Sequence, residues 1–461
     1  MKPRVLIVGT VPYNKQMTSR SFDAYFHFWE KENLAQIFSY TKKPSKGHCG
    51  TLYQITDHRM LERWFNPKTE TGVIYDYDEL DEAWENTDLE IEGKTAQTAY
   101  KIGRNHTPFT HLLRGILWRK KFWCTKKLND WLDAFKPECV FLGFSNDYFI
   151  NQIALYVAEK YDIPIVSAIG DDYYFNTHFS LSPFYHIYKS TYRRLIRKVL
   201  AHKGSAAYIS DKIRDKYNSE FGLDGETVYL NSEIERKPFS YINTENPVIT
   251  YFGNIRMGRN NSLNKIAKAL GRINENYVLE VYSNEPDAEI TKVFEGNKNL
   301  KFCGSVPYAE VTKKMYASDI TVIVEGFEKK DINRSRYSLS TKAADALASG
   351  AMILTFGSAE CGIIEYMYST KASVVCTDEK LLEQSIRNLL DNKQKQEEYY
   401  QKAIEITKQN HRLESSCAVF EGIVEKVLPK EEIQQITDNG QPLTSAQSDL
   451  KRGMIRWSIA W

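Results

Sequence analysis

The chain lacks most of the features that mark a specialised protein. Its 461 residues carry 61 Lys and Arg against 59 Asp and Glu, a formal net charge of +2. It therefore has no basic excess of the kind a dedicated nucleic-acid binder needs, and any basic patch must be local. Cysteine is sparse and odd in number: the seven (Cys49, Cys124, Cys139, Cys303, Cys361, Cys376, Cys417) are scattered, with no pair at metal-ligand or redox spacing. Reduced, mostly buried thiols in a cytosolic protein are expected. No apolar run reaches the roughly 18 residues that read as a membrane span. The run Val5-Leu6-Ile7-Val8 is too short for a signal peptide and reads as a first buried strand. If the protein works at a membrane, it works from the surface, on the inner, cytoplasmic face.

What is present is globular. Hydrophobic residues make up 42% and charged residues 26%, and the length suits two or three domains. After the first strand comes Gly9 and a loop from Thr10, then a helix from near Ser19 with Phe22, Tyr25, Phe26 and Trp29 on one face. Residues 48–100 read as an irregular insertion, with a solvated acidic run from Asp76 to Glu92 that holds no Lys or Arg. A helix is expected over Leu112–Phe135, broken at Pro137. Strands follow at 139–143, 163–168 and 206–210, with helices at about 147–161 and 183–201 between them. A polar linker from Glu233 to Asn246 closes at Pro247. The alternation then restarts with strands at 248–253, 277–283, 300–303, 319–325, 351–356 and 372–376, and two or three helices end it between 379 and 428.

This pattern predicts an α/β protein of two doubly wound, Rossmann-like domains, 1–238 and 247–428, facing each other across a cleft, with a polar tail over 429–461. Ligands of such sheets bind at the carboxyl ends of the strands, which places the expected site in the cleft. A dinucleotide-binding dehydrogenase does not fit, because Gly9 lacks the following G-x-x-G.

The most informative stretch is Tyr337 to Leu354. It reads as a loop, a capped helix start, a short helix of small residues, a stop at Gly350 and a buried strand. Ser340 and Thr341 are N-cap candidates. A helix start offers free N–H groups and positive dipole to a phosphate, and Lys342 adds a full charge. Asp345 shares that face of the first turn. A cation for phosphate beside a carboxylate for hydroxyls suits a nucleotide carrying a ribose; the alternative is an ordinary helix–strand unit with a routine cap. Arg256 and Arg259 follow the strand-ending Gly253, where they are phosphate ligands or solvated surface charges. Asp171 and Asp172 end a strand of the first domain, either as acceptor-binding or basic groups or as a loop cap.

The second half resembles glycosyltransferases of the GT-B fold, the family 4 type, weakly over 135–220 and well over 247–425. Gly253-Asn254-Ile255-Arg256 with Arg259-Asn260 is similar to that family's glycine turn and downstream base, which hold the donor diphosphate. Phe302 to Tyr308 resembles the segment whose main chain reads the nucleotide base. The 337–354 stretch resembles the donor-binding helix, with Asp345 at the ribose carboxylate. Many members carry two glutamates eight positions apart; here the first falls on Tyr337. The loop Thr10 to Ser21 lacks the family's second glycine and offers Thr18, Ser19 and Arg20.

The resemblance implies transfer of a sugar from a nucleotide-diphosphate sugar to a glycan or lipid-linked glycan acceptor, with retention, in surface polysaccharide synthesis. The implied donor site is Gly253, Asn254, Arg256, Arg259, Ser283, Val306, Ser338, Ser340, Thr341, Lys342 and Asp345. Arg259, Lys342, Asp171 and Asp172 are the catalytic candidates. Fixed cations and a helix tip would carry the leaving charge without a metal or other cofactor. Asp76-Tyr77-Asp78 imitates a metal-binding D-x-D, but it sits in the acidic run outside any clear α/β unit and is read as chance. Two basic stretches, Arg114–Lys127 with Trp118, Phe122 and Trp123, and Tyr185–Lys203, hold no acid. The first is read as contact with an anionic membrane, the second as a solvated face over a core stripe. A non-catalytic relative, suggested by Tyr337, and a nucleotide-sugar epimerase are the alternatives.

Overall fold

A computed structural model describes residues 2–13, 20–41, 43–81, 107–177 and 179–429. The expected tail, Thr18, Ser19 and the acidic run beyond Asp81 lie outside the described residues. Residues Met1–Val427 form one compact unit with two sheets.

The first sheet runs β4-β3-β2-β1-β5-β6-β7-β8. Its strands are β1 Val5–Val8, β2 Leu34–Phe38, β3 Thr51–Ile55, β4 Gly72–Asp76, β5 Cys139–Gly143, β6 Ile165–Ile169, β7 Gly204–Tyr208 and β8 Glu226–Thr227. All pairings are parallel except β3 with β4. The second sheet runs β11-β10-β9-β12-β13-β14, all parallel. Its strands are β9 Ile249–Phe252, β10 Leu279–Tyr282, β11 Leu300–Gly304, β12 Ile320–Val324, β13 Met352–Phe356 and β14 Val374–Cys376. Parallel strands covered on both faces need apolar residues at nearly every position, and β1, β9, β12 and β13 are buried throughout.

Strand order reverses between β1 and β5 in the first sheet and between β9 and β12 in the second. Those are the points where a doubly wound sheet opens a crevice at its carboxyl edge. Gly9 and Gly143 stand at the first crevice, Gly253 and Glu325 at the second.

Three expectations fail. Residues 48–100 are not an irregular insertion where they are described. They hold β3, β4 and a helix over Asp57–Phe65 that Thr56 caps by accepting the Arg59 N–H. The buried Gln36 and Gln54 interrupt the apolar pattern of β2 and β3. The side-chain amide of each donates to a nearby main-chain carbonyl, of Thr10 and Tyr40, so burial there does not require an apolar residue. Leu112–Phe135 is not one helix but three, Pro108–Leu117, Lys120–Trp123 and Lys126–Phe135. Thr107 opens the first with a capping box, and Thr125 opens the third by accepting the Leu128 N–H at 3.2 Å. The aromatics expected to meet a membrane turn inward: Trp118 and Trp123 are fully buried, Trp118 stacks on Phe149 at 3.7 Å, and the half-buried Phe122 packs against the same core.

The last helix, Leu413–Val427, returns to the first sheet. Its buried Phe420 lies 4.9 Å from Tyr25, 5.2 Å from Phe26 and 5.5 Å from Phe141. The chain thus crosses between lobes twice, and the two crossings are tied together. His411 Nδ1 bonds the Leu230 carbonyl at 2.8 Å, and the Ser416 hydroxyl donates to the Tyr229 carbonyl at 2.5 Å. Burial lowers the His411 pKa to about 4, so this clasp stays neutral at ordinary pH.

Candidate functional site

Gly253 ends β9 with φ of +120°, a region open mainly to glycine. A Cβ there would sit 2.2 Å from Lys342 Cε. The turn therefore lets Lys342, the first residue of helix Lys342–Ser349, lie flat across the strand end. Its ammonium donates to the Tyr251 hydroxyl at 2.8 Å and sits 4.7 Å over that ring. Burial first, and the Arg259 cation second, lower its pKa to about 7, against an opposing pull from Glu325. Tyr251 in turn donates to the Asn254 carbonyl at 2.6 Å.

The helix start differs from the expected cap. Thr341 is exposed, helical in backbone and makes no side-chain cap. The Ser340 hydroxyl instead accepts the Lys342 N–H at 3.3 Å.

The two arginines are held by carboxylates. Arg259 is buried and forks onto Glu325 at 2.8 and 3.1 Å. Arg256 forks onto Glu285 at 2.5 and 2.7 Å at the surface, and its N–H bonds Asn254 Oδ1 at 2.7 Å. Among these three cations, Lys342 alone has no carboxylate at hydrogen-bond distance among the described residues.

Asp345 is buried, and both bonds to its Oδ1 come from outside its helix. Arg20 donates at 2.7 Å and the Ser232 hydroxyl at 2.7 Å. Arg20 also donates to the Tyr308 hydroxyl and lies 5.1 Å over that ring. The first lobe thus reaches into the second at Asp345. Val306 packs beside Phe252, Tyr282 and Ala348. The Ser283 hydroxyl is buried without a partner among the described residues.

The lobes meet again at Ser338, whose hydroxyl donates to Asp171 Oδ1 at 3.3 Å. Asp172 takes the loop-cap role: its Oδ1 accepts the N–H groups of Tyr174 and Phe175 and the Tyr217 hydroxyl, at 2.8 to 3.0 Å. A carboxylate so occupied is poorly placed to take a proton from substrate. Tyr337 packs among first-lobe aromatics, and its carbonyl accepts the Ser210 hydroxyl at 2.6 Å. Asp76 ends the edge strand β4, three strands from β1, where it accepts the Thr51 hydroxyl at 3.0 Å.

Sequence reasoning missed Glu325, Tyr251, Ser232 and Glu285. Glu325 had a signal: it is a carboxylate directly after the wholly buried, mostly apolar strand Ile320–Val324. The others are contacts between distant segments, for which a single sequence carries none.

No family model matches the chain, and no curated protein matches it at a significant level. Solved structures do. HepE of Anabaena, solved with UDP, aligns over 92% of this chain and 100% of its own, with TM-score 0.52 and 12% identity. Sucrose-phosphate synthase of Thermosynechococcus elongatus aligns over 92% and 99%, with TM-score 0.52 and 11% identity. A glycosyltransferase of Rickettsia africae aligns over 93% and 99%, with TM-score 0.51 and 11% identity. The fold is GT-B. Among the described residues no helix is long and apolar enough to cross a membrane.

Proposed function

We propose that the protein is a glycosyltransferase of the GT-B fold. It would transfer a sugar from a nucleotide-diphosphate donor to a glycan or lipid-linked glycan acceptor, with retention, in surface polysaccharide synthesis. The observation that carries this reading is Lys342. Its ammonium lies at a helix start beside a glycine turn, at the carboxyl edge where strand order reverses, and is held by a neutral phenol rather than a carboxylate. An incoming diphosphate would supply the missing counter-charge, together with the N–H groups of the helix.

In this reading Asp345 takes the ribose once Arg20 lets go, and the Ser283 hydroxyl finds its partner on the donor. Leaving a buried hydroxyl unpaired costs about 1–3 kcal/mol, which a bound nucleotide would recover. The arginines act through the field they set around Lys342 and, for Arg259, after release from Glu325. Asp171 faces the acceptor side. No protein base is required if the donor phosphate itself assists the incoming hydroxyl, and no metal is invoked.

A second reading, binding without turnover, is favoured by one observation: Arg256, Arg259 and Asp345 are all committed to partners within the chain. A thermal-shift screen against nucleoside diphosphates and their sugars tests the site. Uridine nucleotides come first, since HepE was solved with UDP. Stabilisation by at least one of them, lost in Lys342→Ala, is expected; equal stabilisation in that variant removes the assigned phosphate site. Product analysis with and without acceptor then separates transfer from epimerisation and from binding alone.

A further inference from the structure

We propose that an apolar face of the first lobe, built from helix Pro108–Leu117, the first half of helix Pro183–Ala201 and the loop ahead of it, docks on an anionic lipid surface. The side chains concerned are not those of the buried tryptophans. Phe109, Leu113 and Ile116 stand four and three residues apart, so they share one helical stripe, and all are exposed. Phe184 and Ile187 do the same on the second helix. The two stripes join where Phe109 meets Phe184 edge to face at 5.2 Å. Phe179 and Leu181, in the adjoining loop, are 89% and 86% exposed. Scattered exposed leucines need no explanation, but a continuous field of large apolar side chains does.

The charge around this face selects its occupant. No Asp or Glu occurs over 107–129 or over 173–210. Arg119, Lys120 and Lys121 are exposed just past the end of the first helix, and Arg194 and Lys198 on the second. Phe184, Ile187, Arg194 and Lys198 fall on one stripe, apolar at its start and basic at its end. Apolar side chains gain from acyl chains, and cations gain from anionic headgroups. A second copy of the same chain would bring two basic faces together, which like-charge repulsion opposes.

The loop is also fastened to the second helix, where His186 Nε2 bonds the Ser180 carbonyl at 2.7 Å, and it leads back to the cleft. Lys189 donates to the Tyr173 carbonyl at 2.7 Å and Arg193 to the Tyr174 carbonyl at 3.1 Å, fixing the loop onto the helix. Asp171, which touches Ser338 across the cleft, precedes Phe179 by eight residues. An extended chain covers at most about 28 Å over that length, so an acceptor anchored in the same lipid layer lies within reach of the site. The choice of acceptor rests on the function proposed above; the lipid contact does not.

Sedimentation of the full chain with phosphatidylcholine vesicles, with and without about one third phosphatidylglycerol, tests the proposal without donor or acceptor. The protein is expected to pellet with the anionic vesicles, and less so as salt rises. Phe179→Ser combined with Leu181→Ser and Ile187→Ser is expected to lower the partition coefficient about tenfold or more. Arg194→Glu with Lys198→Glu is expected to abolish the preference for anionic vesicles. Both sets change exposed positions, and melting curves like that of the unaltered protein confirm folding. If the first set melts early, Leu113→Ser with Ile116→Ser replaces it. The proposal is overturned if the unaltered protein stays in the supernatant, if the folded serine variants pellet as before, or if light scattering finds a dimer that those substitutions dissolve. Nucleotide stabilisation, read in parallel, reports on the donor site alone.

Discussion

At the scale of single residues, the site turns on Gly253 and Lys342. A methyl group at Gly253 meets Lys342 Cε at 2.2 Å, and the backbone there is left-handed. Gly253→Ala is therefore expected to cost about 1–3 kcal/mol of stability and to remove nucleotide stabilisation, as denaturant melts and thermal shift would show. Lys342 also links binding to pH. With a pKa of about 7 in the free protein, it is mostly charged at pH 6 and mostly neutral at pH 8. A diphosphate favours the charged form, so binding must take up a proton at the higher pH. Nucleotide-sugar affinity measured by calorimetry is expected to fall about tenfold from pH 6 to pH 8; the phosphodiester groups of such a donor do not titrate in that window. A flat profile would show that Lys342 does not meet the phosphates. Gly253, Lys342 and Asp345 were legible in the sequence as positions, because helix starts and strand-ending glycines have local signatures. Their partners were not, because Arg20 lies 325 residues from Asp345 in the chain and Tyr251 lies 91 from Lys342.

At the scale of elements, short strands dominated by apolar residues were easily read, and the second lobe's five later strands stand within about two residues of expectation. The first lobe was harder for a physical reason. Its outer strands β2 and β3 bury glutamines that bond to neighbouring main chain, and β4 is a half-exposed edge strand. The broken helix region was harder still, since apolar spacing continues through Arg119 and Thr125 while the helical backbone does not. The last helix shows how an element's lobe can differ from its place in the sequence. Phe420 is fully buried among Tyr25, Phe26 and Phe141. Phe420→Ala is expected to cost about 3–5 kcal/mol and to melt the first lobe early while the second keeps its own transition, resolvable by calorimetry.

At the scale of the molecule, the two lobes hold one another through few polar contacts near the site. Arg20 with Asp345, Ser338 with Asp171 and Ser210 with the Tyr337 carbonyl are the ones closest to the proposed donor. Arg20→Ala would leave the Asp345 carboxylate buried without its cation, a loss of about 3–5 kcal/mol for a buried pair. It is expected to widen the nucleotide-free protein in small-angle scattering. An unchanged radius of gyration would show that other contacts set the spacing.

The doubled crossing at Tyr229–Ser232 and His411–Ser416 has a mechanical consequence. A single connecting strand is a swivel, about which one lobe can turn, tilt and slide. Two connections pinned side by side act as a strap hinge: they permit folding about one line and resist the other motions. The lobes then travel along a single arc, and everything that bridges them, from Arg20 to Ser338, must engage or part in one stroke.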